Sequence, residues 1–182
     1  WSRPTDRRVP LNDYFIDKYE VSNLEYKEFV NAGGYAKREL WRHPFVKDGR
    51  TIPWDEAVRT LVDRTGLPGP RAWSNQSFPE GRVDYQVKNV TWHAAAAHAA
   101  FRGKQLATIF QWEKAARNGY MPPAGVAAMP WGAFYPGDPL KDRANFGTGA
   151  LPVTSAAFGM SAFGAYNMAG NVAEWTSNDS SD

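Results

Sequence analysis

Apolar positions recur at helical spacing in four stretches of the chain. Leu24, Tyr26, Phe29 and Val30 form one stripe, preceded by Ser22 or Asn23 as a cap and halted by Gly33-Gly34, which predicts a helix ending near Ala32. Trp54 to Arg64 carries Ala57, Val58, Leu61 and Val62 on one side, with Asp55 and Glu56 placed to suit the helix dipole and Gly66 as a stop. Thr91 caps a third helix, His93 to Arg102, ended by Gly103. Thr108-Ile-Phe-Gln111 has the form of a capping box, opening a fourth helix from Ile109 to Asn118 that Gly119 closes.

Elsewhere the pattern loses its period. Tyr14 to Val21 is rich in β-formers, and adjacent apolar Phe15 and Ile16 predict a strand covered in part on both faces. Tyr35 to Pro53 reads as a long ordered loop, and Leu67-Pro-Gly-Pro70 as a break. Residues 71–89 are irregular, with Trp73, Phe78 and Tyr85 as anchors. Residues 121–142 are irregular too, and Pro130-Trp131-Gly132 is their expected buried point. Ala144 to Gly147 and Leu151 to Ser155 read as short strands or turns. Residues 1–12, with Pro4 and Pro10, form an arm, and residues 13–182 form one domain.

Composition explains the irregularity. Eight Trp, eight Tyr and ten Phe accompany 16 Gly and 13 Pro, so the core is built from aromatics hung on turns rather than on long helices. The net charge of +2 is too small to argue for nucleic acid, and Arg3, Arg7 and Arg8 are the only basic cluster. There is no Cys, hence no disulfide, thiolate ligand or cysteine nucleophile within these residues. No apolar run approaches the roughly 20 residues of a membrane span. The chain begins at Trp1 without a visible targeting signal, which suits a segment of something longer and leaves cytoplasm and periplasm both open. A monomer is expected, with a protein or peptide partner possible.

Convergent catalytic sets are missing. Asp55 and Glu56 diverge by about 100° on a helix, which suits a solvated first turn better than acid–base work. His93 and His98 lie about 140° apart, unlike the aligned pair of a zinc-binding helix. The densest functional stretch is Ser161 to Thr176. In extended backbone the carbonyls of Gly170 and Val172 share a side with the Glu174 side chain, and the Asn167 amide oxygen makes a fourth donor for a hard cation such as Ca²⁺, whose shell of six to eight oxygens water would complete. The alternative is a glycine-rich turn, with Asn chosen for left-handed φ and Glu174 simply solvated.

Several stretches stand in one order: Phe15-Ile-Asp-Lys-Tyr-Glu-Val-Ser-Asn23, Glu25-Tyr-Lys-Glu-Phe-Val30, Val90-Thr-Trp92, Gly103-Lys-Gln-Leu-Ala-Thr108, Gln111-Trp-Glu-Lys-Ala-Ala-Arg117, Pro130-Trp-Gly132, Ala144-Asn145 and Tyr166-Asn-Met-Ala-Gly-Asn-Val-Ala-Glu-Trp-Thr176. Together they resemble the formylglycine-generating enzyme, or sulfatase-modifying factor, family from about residue 12 to 176. The resemblance implies an α+β, C-type-lectin-like fold of short helices, short strands and much irregular structure. It implies a structural calcium site at Asn167, Gly170, Val172 and Glu174. A second family calcium site begins at the positions matching Asn145 and Phe146 and uses a later Asp, but no Asp lies between Gly147 and Phe158 here.

The family's oxidases use two cysteines and copper, carried after the Gly-Asn-Val-x-Glu-Trp motif, whereas this chain stops seven residues past Trp175. No catalytic residue can therefore be carried over, and copper is implied only if a later segment holds the cysteines. The expected function is a calcium-stabilised binding or structural module with no catalytic centre in these residues. The alternatives are the N-terminal bulk of a formylglycine-generating-type oxidase or C–S bond-forming relative, and a carbohydrate-binding lectin-like module.

Overall fold

The computed structural model describes residues 9–117, 129–132, 137, 140–147, 149–155 and 157–178. Most of the N-terminal arm, the end of the fourth helix at Asn118 and Gly119, and most of the stretch 121–142 lie outside the described residues. In chain order the elements are α1 (Asn23–Asn31), β1 (Phe45–Lys47), β2 (Arg50–Ile52), α2 (Trp54–Val58), α3 (Trp92–Phe101) and α4 (Ile109–Arg117), with short 3₁₀ turns between α1 and β1 and after α4. The strands β1 and β2 make a two-stranded antiparallel sheet. The architecture is thus mixed α and β with few helices, as the aromatic-rich, turn-rich composition requires.

Local capping chemistry sets the helices. The Ser22 hydroxyl accepts the Glu25 N–H at 3.2 Å while the Glu25 carboxylate accepts the Ser22 N–H at 2.8 Å, a complete capping box at the start of α1. Thr91 caps α3 by accepting the Ala94 N–H. Thr108 and Gln111 exchange the same reciprocal pair at α4, at 2.8 and 3.1 Å. Gly33 and Gly103 take left-handed φ just past the ends of α1 and α3.

Three expectations change. Asp48 and Gly49 both have positive φ, at 51° and 73°, and close a tight hairpin between β1 and β2 inside the stretch expected to be a loop. The second helix stops at Val58 rather than Arg64. Beyond it Asp63 organises the following turn: its Oδ1 accepts N–H groups from Thr65 and Leu67 and the Thr65 hydroxyl, while Oδ2 accepts the Gln76 N–H. Those donors hold the Asp63 carboxyl below its ordinary range. Tyr14 to Val21 is irregular, with a bend at Lys18 and Tyr19, and is not a sheet strand. It pairs piecemeal, through the Ser22–Gln86 bridge, the Val87 N–H to the Val21 carbonyl, and the Tyr166 N–H to the Lys18 carbonyl.

The main core joins Tyr26, Phe29 and Val30 of α1 to Tyr35, Trp41 and Trp73 and to Ala94 and Ala97 of α3. The Tyr26 ring meets Trp73 edge-on at 6.0 Å and stacks on His98 at 5.1 Å. Small alanines let α3 approach α1 closely. A second cluster, Ala115 and Ala116 of α4 with Ala165 and Met168, anchors the C-terminal loop. Buried polar groups link loops to the main core. The Asn23 side chain accepts the Trp73 indole N–H at 3.1 Å and donates to the Arg82 carbonyl at 2.8 Å. We expect Asn23→Ala to destabilise by about 2–3 kcal/mol, because it strands the buried indole N–H. Urea unfolding with an unchanged m-value is the measurement, and a loss below about 0.5 kcal/mol would contradict this account.

Candidate functional site

The C-terminal loop is built turn by turn. Ser161, fully buried, accepts the Phe163 and Ala165 N–H groups on its hydroxyl and donates its own N–H to the Ala165 carbonyl, with Gly164 at φ 82° completing the turn. Tyr166 then docks on the N-terminal segment, its ring 5.0 Å from Tyr19 with the Lys18 ammonium near both rings. Asn167 and Asn171 adopt left-handed φ of 54° and 61°, a region where Asn is the best tolerated residue after Gly.

These two asparagines meet at a buried carboxylate. The Asn167 amide nitrogen donates to Glu20 Oε2 at 2.8 Å and to the Val153 carbonyl at 2.9 Å. The Asn171 amide nitrogen donates to the same Glu20 oxygen at 3.0 Å. Glu20 is only 8% exposed, and burial pushes its carboxyl up to about 7 despite the two amide donors that favour the ionised form. Sequence reasoning missed Glu20 and Asn171. Nothing local marks Glu20, since its partners lie some 150 residues away.

Asn145 braces the loop from the other side. Its carbonyl accepts the Asn171 N–H at 2.8 Å, and its amide nitrogen donates to Asn171 Oδ1 at 3.0 Å and to the Gly149 carbonyl at 2.6 Å. Its amide oxygen accepts the Gly147 N–H, and Phe146 is largely exposed. Gly170 runs parallel to Asn145 at φ 86°, and a Cβ there would sit 2.4 Å from the Asn145 carbonyl oxygen. Only glycine fits.

The remaining predicted residues lie just beyond. Among the described residues no N–H or hydroxyl donates to the Gly170 or Val172 carbonyl. One Glu174 carboxylate oxygen accepts the Trp112 indole N–H. Glu174 is open to solvent by surface area although cleft walls crowd it. Crowding pushes its carboxyl upward, against the Trp112 hydrogen bond, which favours the ionised form. Two indoles then fasten the loop to α3: Trp92 donates to the Thr176 carbonyl at 2.7 Å and Trp175 to the Val90 carbonyl at 3.1 Å. Among the described residues no group of three or more His, Cys, Asp and Glu side chains converges on one point.

Beside the loop lies a cleft of about 450 Å³, walled by the segment 14–21, the link 104–107, and parts of α3, α4 and the loop. Val172 and Glu174 reach it, as do Gln86 and His98. The two histidines of α3 are separated as their spacing predicts: His93 stacks on Phe45 at 4.1 Å, whereas His98 is buried against Tyr26. Burial, with Arg102 nearby, holds His98 down to about 4.

Proton linkage gives His98 a signature. Its folded value lies below the ordinary 6.5, so the stability it lends is present above pH 6.5 and lost as pH falls toward 4, at a limiting slope of about 1.4 kcal/mol per unit. Glu20 works in the opposite sense, favouring the folded state at low pH and losing that contribution as pH rises to about 7. The contributions of these two groups should therefore nearly cancel from about pH 4.5 to 6.5. In His98→Gln, by contrast, stability should rise as pH falls through that window. Parallel pH profiles of unfolding free energy for the two proteins would contradict the assignment.

Among the described residues no helix is long and apolar enough to cross a membrane. The family model for the sulfatase-modifying factor enzyme 1-like domain matches residues 2–182. The chain is 32% identical to the formylglycine-generating enzyme of Bos taurus, over 94% of this chain and 50% of the relative. It is 34% identical to the formylglycine-generating enzyme of Thermomonospora curvata, over 93% of this chain and 61% of the relative. It is also 32% identical to the hercynine oxygenase of Mycolicibacterium smegmatis, over 93% of this chain and 38% of the relative. The chain thus spans about half the length of the curated relatives it matches. With the motif series and the family match running over nearly the same residues, the chain belongs to the sulfatase-modifying factor enzyme 1-like domain family.

Proposed function

We propose that residues 13–182 form a calcium-stabilised binding or structural module of C-type-lectin-like fold. Calcium is held by the Asn167 amide oxygen, the Gly170 and Val172 carbonyls and the Glu174 carboxylate. The observation that carries this reading is the pair of carbonyls at Gly170 and Val172, which no described residue satisfies, set between an asparagine and a glutamate. Asn167 turns its nitrogen to Glu20 and Val153, which leaves its oxygen as the free end of the amide. Glu174 gives one oxygen to Trp112 and keeps another. Four such oxygens with added water suit a hard cation. The ion supplies cross-linking rather than chemistry: it fastens the loop whose asparagines hold Glu20.

A second reading is supported by the relatives' names. Formylglycine-generating enzymes and a hercynine oxygenase align over nearly all of this chain, so it also suits the N-terminal part of such an oxidase. On that reading the chemistry, copper included, belongs to residues other than these, since the chain has no Cys.

Calcium at a hundredfold excess over its Kd should stabilise the protein by about 2.7 kcal/mol, read as a rise in Tm that a chelator reverses. Glu174→Ala should abolish the rise. Trp112→Phe, which removes the hydrogen bond to Glu174 but no proposed ligand, should keep it. No calcium-dependent shift together with no metal in elemental analysis of the purified protein would refute the site.

A further inference from the structure

The cleft beside the C-terminal loop buries the unbonded Gln86 amide and His98 Nε2, and it belongs to the site already described. A second cavity, of about 290 Å³, contains no residue of that loop. Three pieces of irregular backbone wall it: residues 60–62 after α2, residues 69–71, and residues 89–91 leading into α3. Backbone hydrogen bonds hold these pieces together, from the Gly69 N–H to the Leu61 carbonyl at 3.3 Å and from the Arg71 N–H to the Asn89 carbonyl at 3.2 Å. The second bond sets Arg71 and Asn89 side by side.

Polarity in this cavity changes with depth. Tyr35, Pro70 and Ala94 are buried and form its floor, and the Tyr35 hydroxyl is engaged with that of Tyr26 at 3.0 Å. Leu61, Val62 and Val90, half-buried, make the sides apolar. Arg71 and Asn89 are exposed at the rim, and among the described residues neither the guanidinium nor the side-chain amide has a hydrogen bond or ion pair. The Thr60 hydroxyl, by contrast, already donates to the Ala57 carbonyl at 2.7 Å. No Asp or Glu lines the cavity, so Arg71 is its one charged residue.

We propose that this cavity binds a small organic carboxylate with a short apolar body, its head at the rim and its body on the floor. The guanidinium presents paired N–H donors that match the two oxygens of a carboxylate, and the adjacent Asn89 amide nitrogen adds a third donor. A head kept at the rim avoids the cost of burying a charge, while the body leaves water for the floor and sides. A cationic ligand would meet Arg71 with no acid to offset it. The volume lies at the lower bound of ligand pockets, roughly 300 Å³, which suits one small molecule. This inference goes beyond the calcium-stabilised module and does not depend on it.

Hexanoate and phenylacetate are the probes, titrated into the isotope-labelled protein and followed by amide chemical shifts. Saturable shifts are expected at Val62, Gly69, Arg71, Asn89 and Val90, with none at Gly170 to Val172. Acetate has the head without the body, and hexylammonium has the body with the opposite charge. Each should bind at least about tenfold more weakly than hexanoate. Arg71→Gln should weaken hexanoate by about tenfold or more and leave Tm unchanged, since the side chain is bonded to none of the described residues.

Four results would each overturn the proposal: no saturable shift with either acid, shifts confined to residues outside the cavity, acetate or hexylammonium binding as well as hexanoate, or unaltered binding in Arg71→Gln. The ligand series is read on the unsubstituted protein, so it decides the matter even where the variant does not fold. The calcium-dependent rise in Tm is measured without these acids, and either idea can therefore fail alone.

Discussion

The structure depends on the satisfaction of one buried carboxylate. Glu20 has left water, and an unpaired carboxylate in that position would cost more than a domain of this size can tolerate. The two amide groups that meet it come from Asn167 and Asn171, at the opposite end of the chain. Each of those asparagines has further ties, Asn167 to Val153 and Asn171 to Asn145 and Leu151. One buried carboxyl group near the start of the domain therefore fixes the register of three separate loops. Little regular sheet is needed when closure of this kind is available.

The same logic runs through the rest of the fold. Asp63 collects four donors from the turn and loop that follow it, and Asn23 joins α1 to Trp73 and to the backbone at Arg82. Irregular backbone leaves many N–H and C=O groups outside any ladder, so short polar side chains must take them up. Aromatic rings fill the space between, with Tyr26 and Phe29 each in contact with several others.

What could be read from the sequence divides along the same line. Three helix starts were legible because Ser22, Thr91 and Thr108 cap residues only three positions away. The Asp48-Gly49 hairpin carried an equally local signal, a dipeptide suited to two successive positive φ values, and it was overlooked among the aromatics around it. The early end of α2 was hidden, because the apolar stripe ran on through Leu61 and Val62, past Val58 where the helix stops. At the candidate site, Asn167, Gly170, Val172 and Glu174 stood out through their spacing in one motif. Glu20, Gln86 and His98 did not, for their significance comes only from what distant segments bring, or fail to bring, to them.

The exchange of indole bonds between Trp92 and Trp175 bears on how this protein moves. Each ring reaches across to the strand of backbone that carries the other, one clasping Thr176 and the other Val90. A single such bond could break and re-form while its neighbours stayed in place. Two reciprocal ones couple their fates, since peeling the loop away from α3 loosens both at once. The segment around Trp175 and Thr176 and the start of α3 thus open as one cooperative unit.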